Sequence, residues 1–333
     1  METWGERPMT SREFLYLTED EVEQCITMRE AVALADKGIY ADAVGQVAGD
    51  KFYMHVGDRG FIKPFSGYLE GEEYTYVKTF SFFEGNRTKQ LPVTSSVVLL
   101  FDAETGLPIC IMEGNWITAL KTGASTAVTA KYLACPDSKV ATIFGAGGLG
   151  RMHLLGLAEV FHLEEVRVVD VIPQVAERFI TEMGQQTGLP MIISPSPEAA
   201  VRGADIVITV TTGSAVNVEA PWVKPGAFIA RLGSYQEIAL DLLLKADKLV
   251  VDRWQYVSYR VPEMIQLIKE GKLRREEVHA EWPDIVGGRA SGRESDDEII
   301  LYIALGIWGE YAAILPHVYR RARDLGLGRS LEG

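Results

Sequence analysis

"KVATIFGAGGLGRMHLLGLAEVFHLEEVRVVD" (139–170) is the stretch whose reading decides the fold. A short apolar run at 139–144 ends in Gly145, Gly147 and Gly150. Residues 151–160 then carry apolar positions at helical spacing, and 165–170 reads as a second strand closed by Asp170. Glycines collect in loops for many reasons, and G-x-G-x-x-G alone is a weak signal. Between a strand and a helix, with an acid about 20 residues past the last glycine, it has a mechanical meaning. The first glycine permits the tight turn and the second lets the backbone approach a pyrophosphate. The third lets helix and strand pack closely, and the helix N-terminus offers its N–H groups to the anion. Asp170 would then accept from the adenosine ribose hydroxyls and repel a 2′-phosphate. The residues after it are Val171, Ile172 and Pro173, with no arginine among them, so NAD(H) is expected over NADP(H).

Working toward the C-terminus, a helix-like "QVAERFITEMGQQ" is followed by strand-like runs at 191–193, 205–211, 227–232 and 248–252, with a short helix at 197–202. Six strand-like runs in all, separated by helical segments, predict a doubly wound parallel sheet with helices on both faces. Toward the N-terminus the pattern changes. "YTYVKTFSFF" (74–83), "VTSSVVLLFD" (93–102) and "LPICIME" (107–113) read as neighbouring antiparallel strands of an α+β segment. "NWITALKTGASTAVTAKYLA" (115–134) is a bridging helix with Ile117, Leu120, Ala124 and Val128 on one stripe. The tail, 296–328, reads as largely helical, with Pro316 as a break or a helix start.

Composition narrows the function class. With 333 residues, 47% of them apolar, the chain can fill a substantial core. A net charge of −13 argues against nucleic acid or an anionic membrane surface as partner. Cys25, Cys110 and Cys135 are far apart and have no His-spaced companions, so no metal site is expected and a reducing compartment is. The N-terminus has no apolar h-region and no run of about 18 apolar residues occurs, so a soluble cytoplasmic protein is expected.

Two lysines stand in apolar company. The period-2 neighbours of Lys78 are Tyr74, Tyr76, Phe80 and Phe82, and Lys121 shares a helical stripe with Ile117, Ala124 and Val128. Two readings fit. Either the lysines converge on a carboxylated substrate, where desolvation would also bring an ammonium toward general acid–base chemistry, or each snorkels its head to water. His153, inside the helix after the glycine turn, reads as a packing or capping residue rather than a catalyst. Arg293, in "GGRASGR" (287–293), reads either as a solvated loop arginine or as a residue near the cofactor or the domain seam.

The stretches "VKTFSFFEGN" (77–86), "LPVTSSVVLLFDAETGLPI" (91–109), "TALKTGASTAVTAKYLA" (118–134), the glycine turn and "IVGGRASGRESDDEI" (285–299) together resemble the ornithine cyclodeaminase/μ-crystallin family. The resemblance covers nearly the whole chain. It implies a substrate-binding and dimerisation domain from residues 1–121 and 305–333, hence a homodimer, with an NAD-binding Rossmann domain, 122–304, inserted into it. It also implies nicotinamide chemistry on a small α-imino, α-keto or α-amino acid. Lys78 falls on the family's substrate lysine and is the catalytic candidate. Lys121 falls on the basic residue of the bridging helix, and Lys51 on a third basic position. The cofactor-binding candidates are Gly145, Ala146, Gly147, Gly148, Leu149, Gly150, Asp170 and Val171, with Thr211, Leu232, Gly233 and Ser234 at later strand ends.

Departures from the family pattern rank the activities. The bridging-helix basic residue is usually arginine, and Lys121 lacks its bidentate fork. Where the family tail reads Ser-x-Gly-x-Ala-x-Glu-Asp, this chain has Ala304 to Tyr311 as ALGIWGEY. The acid that cyclodeaminases carry after the glycine of the fifth strand is absent from Gly233-Ser234-Tyr235-Gln236, while Glu237 and Asp241 are expected on the following helix. An NAD-dependent imine reductase or amino-acid dehydrogenase leads. A cyclodeaminase using NAD catalytically, and a μ-crystallin-type nucleotide-dependent binding protein, are the alternatives.

Overall fold

The computed structural model describes residues 13–213 and 215–332. The N-terminal stretch read above for a leader, residues 1–12, lies outside them. Two compact units emerge: one from the residues up to Thr27, Val47–Thr118 and Tyr311 onward, the other from Met28–Gln46 and Ala119–Glu310.

The first unit is built on a mixed sheet of β1 (Glu13–Leu17), β2 (Val47–Lys51), β3 (Met54–His55), β4 (Phe61–Leu69), β5 (Tyr74–Phe82), β6 (Thr94–Asp102) and β7 (Pro108–Glu113), with β16 (Arg329–Glu332) at one edge. The order is β16-β1-β7-β6-β5-β4-β2, with β3 also on β4; only β1 and β7 run parallel. The hairpin from β6 to β7 closes as its sequence dictates. Asp102 accepts from the Thr105 backbone N–H at 2.7 Å and from its hydroxyl at 2.6 Å, and Gly106 takes the left-handed φ of 71°. Strand alternation puts Tyr74, Tyr76, Lys78, Phe80 and Phe82 on one face of β5. Residues from Tyr311 on, in the Gly309–Leu325 helix, pack on that face, with Tyr311 6.0 Å from Phe65 and Tyr319 5.1 Å from Tyr74 between ring centroids.

The second unit is a doubly wound parallel sheet, the Rossmann arrangement, of β8 (Val140–Phe144), β9 (Glu165–Val169), β10 (Met191–Ile193), β11 (Ile206–Thr209), β12 (Phe228–Arg231), β13 (Lys248–Val251), β14 (Ala280–Glu281) and β15 (Ile300–Ile303), in the order β10-β9-β8-β11-β12-β15-β13-β14. Strand order reverses at β8, between β9 and β11, the crevice where such sheets take their ligands.

Sequence periodicity counted six parallel strands, and the sheet has eight. β15 fell inside the tail read as helical, yet it is a central strand between β12 and β13. Its four residues are all buried. A strand covered on both faces shows no alternation, and a short apolar run then looks the same in either period. Pro316 does not break the tail helix either; it sits inside Gly309–Leu325, which buries Ile314, Leu315, Val318 and Ala322. That packing outweighs a cost of roughly 3 kcal/mol for an interior proline.

The Met28–Ala43 helix belongs to the second unit, although residues 1–121 were expected together in the substrate domain. Asp36 pairs with Lys131 at 2.9 Å and Asp42 with Arg253 at 2.5 Å. A Cβ on Gly38 would stand 2.3 Å from the Gly309 carbonyl oxygen, so this crossing needs a residue without a side chain. The unit boundaries fall inside the Asn115–Leu133 and Gly309–Leu325 helices, at 118/119 and 310/311. Among the described residues no helix is long and apolar enough to cross a membrane.

Candidate functional site

In the second unit, β8 ends and the Gly148–Val160 helix begins within four residues. Gly145 has φ 101°, and a Cβ there would lie 2.9 Å from the Val210 carbonyl oxygen of the neighbouring strand end. A Cβ on Gly150 would lie 2.0 Å from the Gly145 carbonyl oxygen. Turn and close packing are thus separate demands on separate glycines. Gly147 is the helix N-cap and makes no side-chain cap, while a Cβ on Gly147 or Gly148 would meet nothing within 4 Å. The backbone around Gly147, Gly148 and Leu149 is therefore open to close approach, and the first helical N–H groups have no partner from within the helix. This cradle fits a dinucleotide pyrophosphate.

Asp170, the residue after β9, is held over the turn. One carboxylate oxygen accepts from the Ala146 N–H at 2.8 Å and the other from the Ile172 N–H at 2.9 Å. Its oxygens keep further lone pairs for hydroxyl donors. Val171 beside it is 92% exposed, an apolar surface at the turn's rim.

The ends of β11 and β12 are tied by a residue that the spacing placed on a helix. Glu237 lies in the loop before Leu240–Lys245 and is fully buried. Its carboxylate accepts from the Thr211 N–H and hydroxyl, both at 2.7 Å, the Gly233 N–H at 2.8 Å and the Thr209 hydroxyl at 2.9 Å. Burial pushes its pKa up, and the charge of Arg231 and these donors oppose the shift. The Glu237 N–H in turn bonds Glu263, which is 3.2 Å from the Arg231 guanidinium, and Arg231 also donates to the Gly233 carbonyl at 2.6 Å. Thr211, Leu232, Gly233 and Ser234, expected to meet cofactor, stand on or beside this lattice. Only Asp241 is on the helix, paired with Lys245.

In the first unit two of the three lysines expected to meet substrate, Lys51 and Lys78, share one cross-strand row. Lys51 of β2 opposes Phe65 of β4, which opposes Lys78 of β5, which opposes Val98 of β6. Lys51 is 2% exposed and Lys78 1%, so neither head snorkels to water. Lys78 Nζ lies 5.4 Å from the Phe65 ring centroid, 5.5 Å from Phe80 and 5.0 Å from Tyr311; Lys51 Nζ lies 5.5 Å from Phe65. Ring faces attract these cations, by about 2 kcal/mol when desolvated.

Lys121 belongs to the second unit and meets an acid of its own chain there. Its Nζ is 2.9 Å from a Glu310 carboxylate oxygen, to which Ser125 also donates at 2.8 Å, all in the interior. Of the tail motif, this chain keeps Gly306 and Glu310, and both stand at Lys121: a Cβ on Gly306 would lie 3.6 Å from its Nζ. His153 is fully buried, and burial alone pushes its imidazole down to about 3. Neither ring nitrogen has a hydrogen-bond partner among the described residues, which is the packing role. Arg293 donates to the Leu133 carbonyl at 2.9 Å and the Glu298 carbonyl at 2.7 Å, tying its loop to the end of the Asn115–Leu133 helix rather than standing in solvent.

A parallel sheet with a phosphate-shaped turn at its reversal point, joined to a sheet that buries ammonium groups among aromatic rings, defines a class of two-unit dinucleotide-binding proteins for carboxylated ligands. Residues 12–326 match the ornithine cyclodeaminase/mu-crystallin family, and the chain belongs to it. Thermococcus litoralis Δ1-pyrroline-2-carboxylate reductase, solved with NADH and L-proline, is 33% identical, with 96% of this chain and all of that one aligned at a TM-score of 0.91. An archaeal alanine dehydrogenase dimer with bound NAD is 30% identical over 96% of this chain and 99% of that one, with a TM-score of 0.89. The N-((2S)-2-amino-2-carboxyethyl)-L-glutamate dehydrogenase of Staphylococcus aureus is 31% identical over 96% of this chain and 99% of its own length.

Proposed function

We propose that the protein is an NAD-dependent oxidoreductase of small α-imino or α-amino acids, an imine reductase or amino-acid dehydrogenase, working as a homodimer in the cytoplasm. The observation that carries this reading is Lys78, an ammonium 1% exposed among Phe65, Phe80 and Tyr311, in a chain that also has the open glycine turn and Asp170. An ammonium in such surroundings attracts anions, and a substrate carboxylate is one. The dimer reading follows the archaeal alanine dehydrogenase, and the compartment follows three separate free thiols.

Bound NADH supplies hydride for the α-carbon. The chain's own residues do the rest. The turn at Gly147 to Gly150 would take the pyrophosphate, and Asp170 the adenosine ribose. Glu237 holds the strand ends that carry Thr211 and Gly233. Lys78 would bind the carboxylate and hold a proton at Nζ for the imine nitrogen, with Lys51 adding positive potential from across Phe65. Lys121, paired with Glu310, would add less positive potential than an unpaired cation. Cyclodeamination is not favoured. Ser234 follows the glycine, and the next carboxylate along the chain, Glu237, is spent on four donors.

The test is an NADH-oxidation screen of 2-oxo acids with ammonia or methylamine, and of cyclic imino acids. Turnover with at least one class is expected. Tight NADH binding with no oxidation across the panel would replace the enzyme reading by a binding protein.

A further inference from the structure

Two carboxylates and a guanidinium, Glu237, Glu263 and Arg231, are fully buried together at the ends of β11 and β12. Buried charge is costly unless every group is matched, so such a lattice calls for a physical reason. The pairing of β11 with β12 ends at Thr209 and Arg231, with one further bond from the Leu232 N–H to the Thr209 carbonyl at 3.0 Å. Past that point both chains turn to Glu237. The Thr211 N–H and hydroxyl bond Oε1, while the Gly233 N–H and the Thr209 hydroxyl bond Oε2. Each oxygen takes two donors, and the carboxylate stands in for the next rung between the strands.

The loop that carries Glu237 is closed on the same anion. A Cβ on Gly233 would stand 2.4 Å from the Glu237 carboxyl carbon, so the glycine makes room for the acid. Arg231 donates to the Gly233 and Tyr235 carbonyls, and Glu263 accepts from Arg231 and from the Glu237 N–H. The Thr211 and Gly233 N–H groups are therefore spent inside the protein. What the lattice gives these two residues is a fixed position.

In a doubly wound sheet the two halves of a dinucleotide lie on opposite sides of the strand-order reversal. Asp170 follows β9 on one side of β8, and β11 and β12 lie on the other. Resting on the function proposed above, we infer that Glu237 is a positioning residue for the nicotinamide half of the cofactor. It fixes the strand ends against which the ring is held, while the glycine turn and Asp170 hold the adenosine half. Being buried, it acts through Thr211 and Gly233 without touching the cofactor itself. Misplacing a reacting centre by about 1 Å can cost a hundredfold in rate, so the effect belongs in kcat.

The experiment compares NADH with ADP-ribose, which lacks the nicotinamide, by calorimetry in the wild type, Glu237→Gln and Thr209→Val. Glutamine keeps the shape and has one oxygen in place of two; valine keeps the branched shape and removes one buried donor. Glu237→Gln should weaken NADH about tenfold or more, as expected for lost bonds to a charged group, and leave ADP-ribose within about twofold. With an oxo acid that turns over, kcat should fall by about tenfold or more at saturating NADH, with the KM of the oxo acid within about twofold. Thr209→Val should show the same split at about threefold, and it decides the matter alone if Glu237→Gln does not fold. Equal weakening of both ligands would make the lattice a general support of the sheet and overturn the inference, as would no change in either. A wild type that binds NADH but turns over no acid discards the oxidoreductase reading, while the split between the two ligands still decides the role of Glu237.

Discussion

The two units make their contributions from different parts of the chain's chemistry. In the parallel sheet the candidate cofactor cradle is backbone: a turn, a helix N-terminus and glycines whose missing side chains leave room, with Asp170 as its acid. In the mixed sheet the candidate substrate face is side chain: lysines and aromatic rings on strands whose backbone is ordinary antiparallel ladder. A backbone device requires particular residues at fixed spacing. A side-chain device requires a register between strands remote in sequence, and its members are individually unremarkable.

Substitutions in each unit should therefore fail in different ways. Lys78→Met is expected to lower turnover about a thousandfold, within the range lost with a general acid, and to leave NADH affinity within about twofold by tryptophan fluorescence. A parallel loss of NADH binding would mean that the lysine face does not act separately from the turn. Gly150→Ala, with its Cβ 2.0 Å from the Gly145 carbonyl oxygen, should do the reverse. It is expected to weaken NADH binding by more than tenfold and to cost about 1–3 kcal/mol of stability, read by titration and by denaturant unfolding. Asp170→Asn should raise the NADH dissociation constant by about tenfold, as the loss of charge-assisted bonds to hydroxyls implies, and narrow the preference over NADPH. Wild-type protein that binds NADPH as tightly as NADH would remove the role given to Asp170.

The smallest effect concerns stability. His153 has its imidazole at about 3 in the folded state, against an ordinary value of 6.5, so the unfolded chain takes up a proton that the folded chain refuses. Stability contributed by the neutral ring is intact above pH 6.5 and is lost as pH falls from there toward 3, at about 1.4 kcal/mol per pH unit. His153→Met should unfold with a melting temperature several degrees less sensitive to acidification from pH 7 to 5. An identical acid sensitivity in both proteins would show the histidine already solvated.

That asymmetry between backbone and side chain also sets what the sequence discloses. Gly145, Gly147, Gly150 and Asp170 are legible because strand, turn and helix are contiguous and each glycine answers a local steric demand. Alternation placed Lys78 among aromatic residues and left open whether it meets a substrate or snorkels to water; only the family resemblance gave it a role. Lys51 was not legible even that far, since its place in the row of Lys78 depends on the pairing of β2 with β4 and of β4 with β5. Glu237 was misplaced onto a helix because nothing local marks a carboxylate that caps two strand ends from a loop. The pairing of Lys121 with Glu310 joins residues 189 positions apart, and only the family tail pattern hinted at it. β15 escaped because four apolar residues carry no period of their own. The Met28–Ala43 helix escaped because its glycine crossing at Gly38 is a tertiary fact.

The central claim is that hydride passes between a nicotinamide and the α-carbon of an acid gripped by the lysine face. The most direct measurement uses NADH with both C4 hydrogens replaced by deuterium, with the oxo acid that turns over and ammonia, followed by mass spectrometry of the amino-acid product. Deuterium at the α-carbon, transferred with one-to-one consumption of NADH, is the predicted result. An unlabelled product, or NADH left unchanged while product forms, would contradict the account.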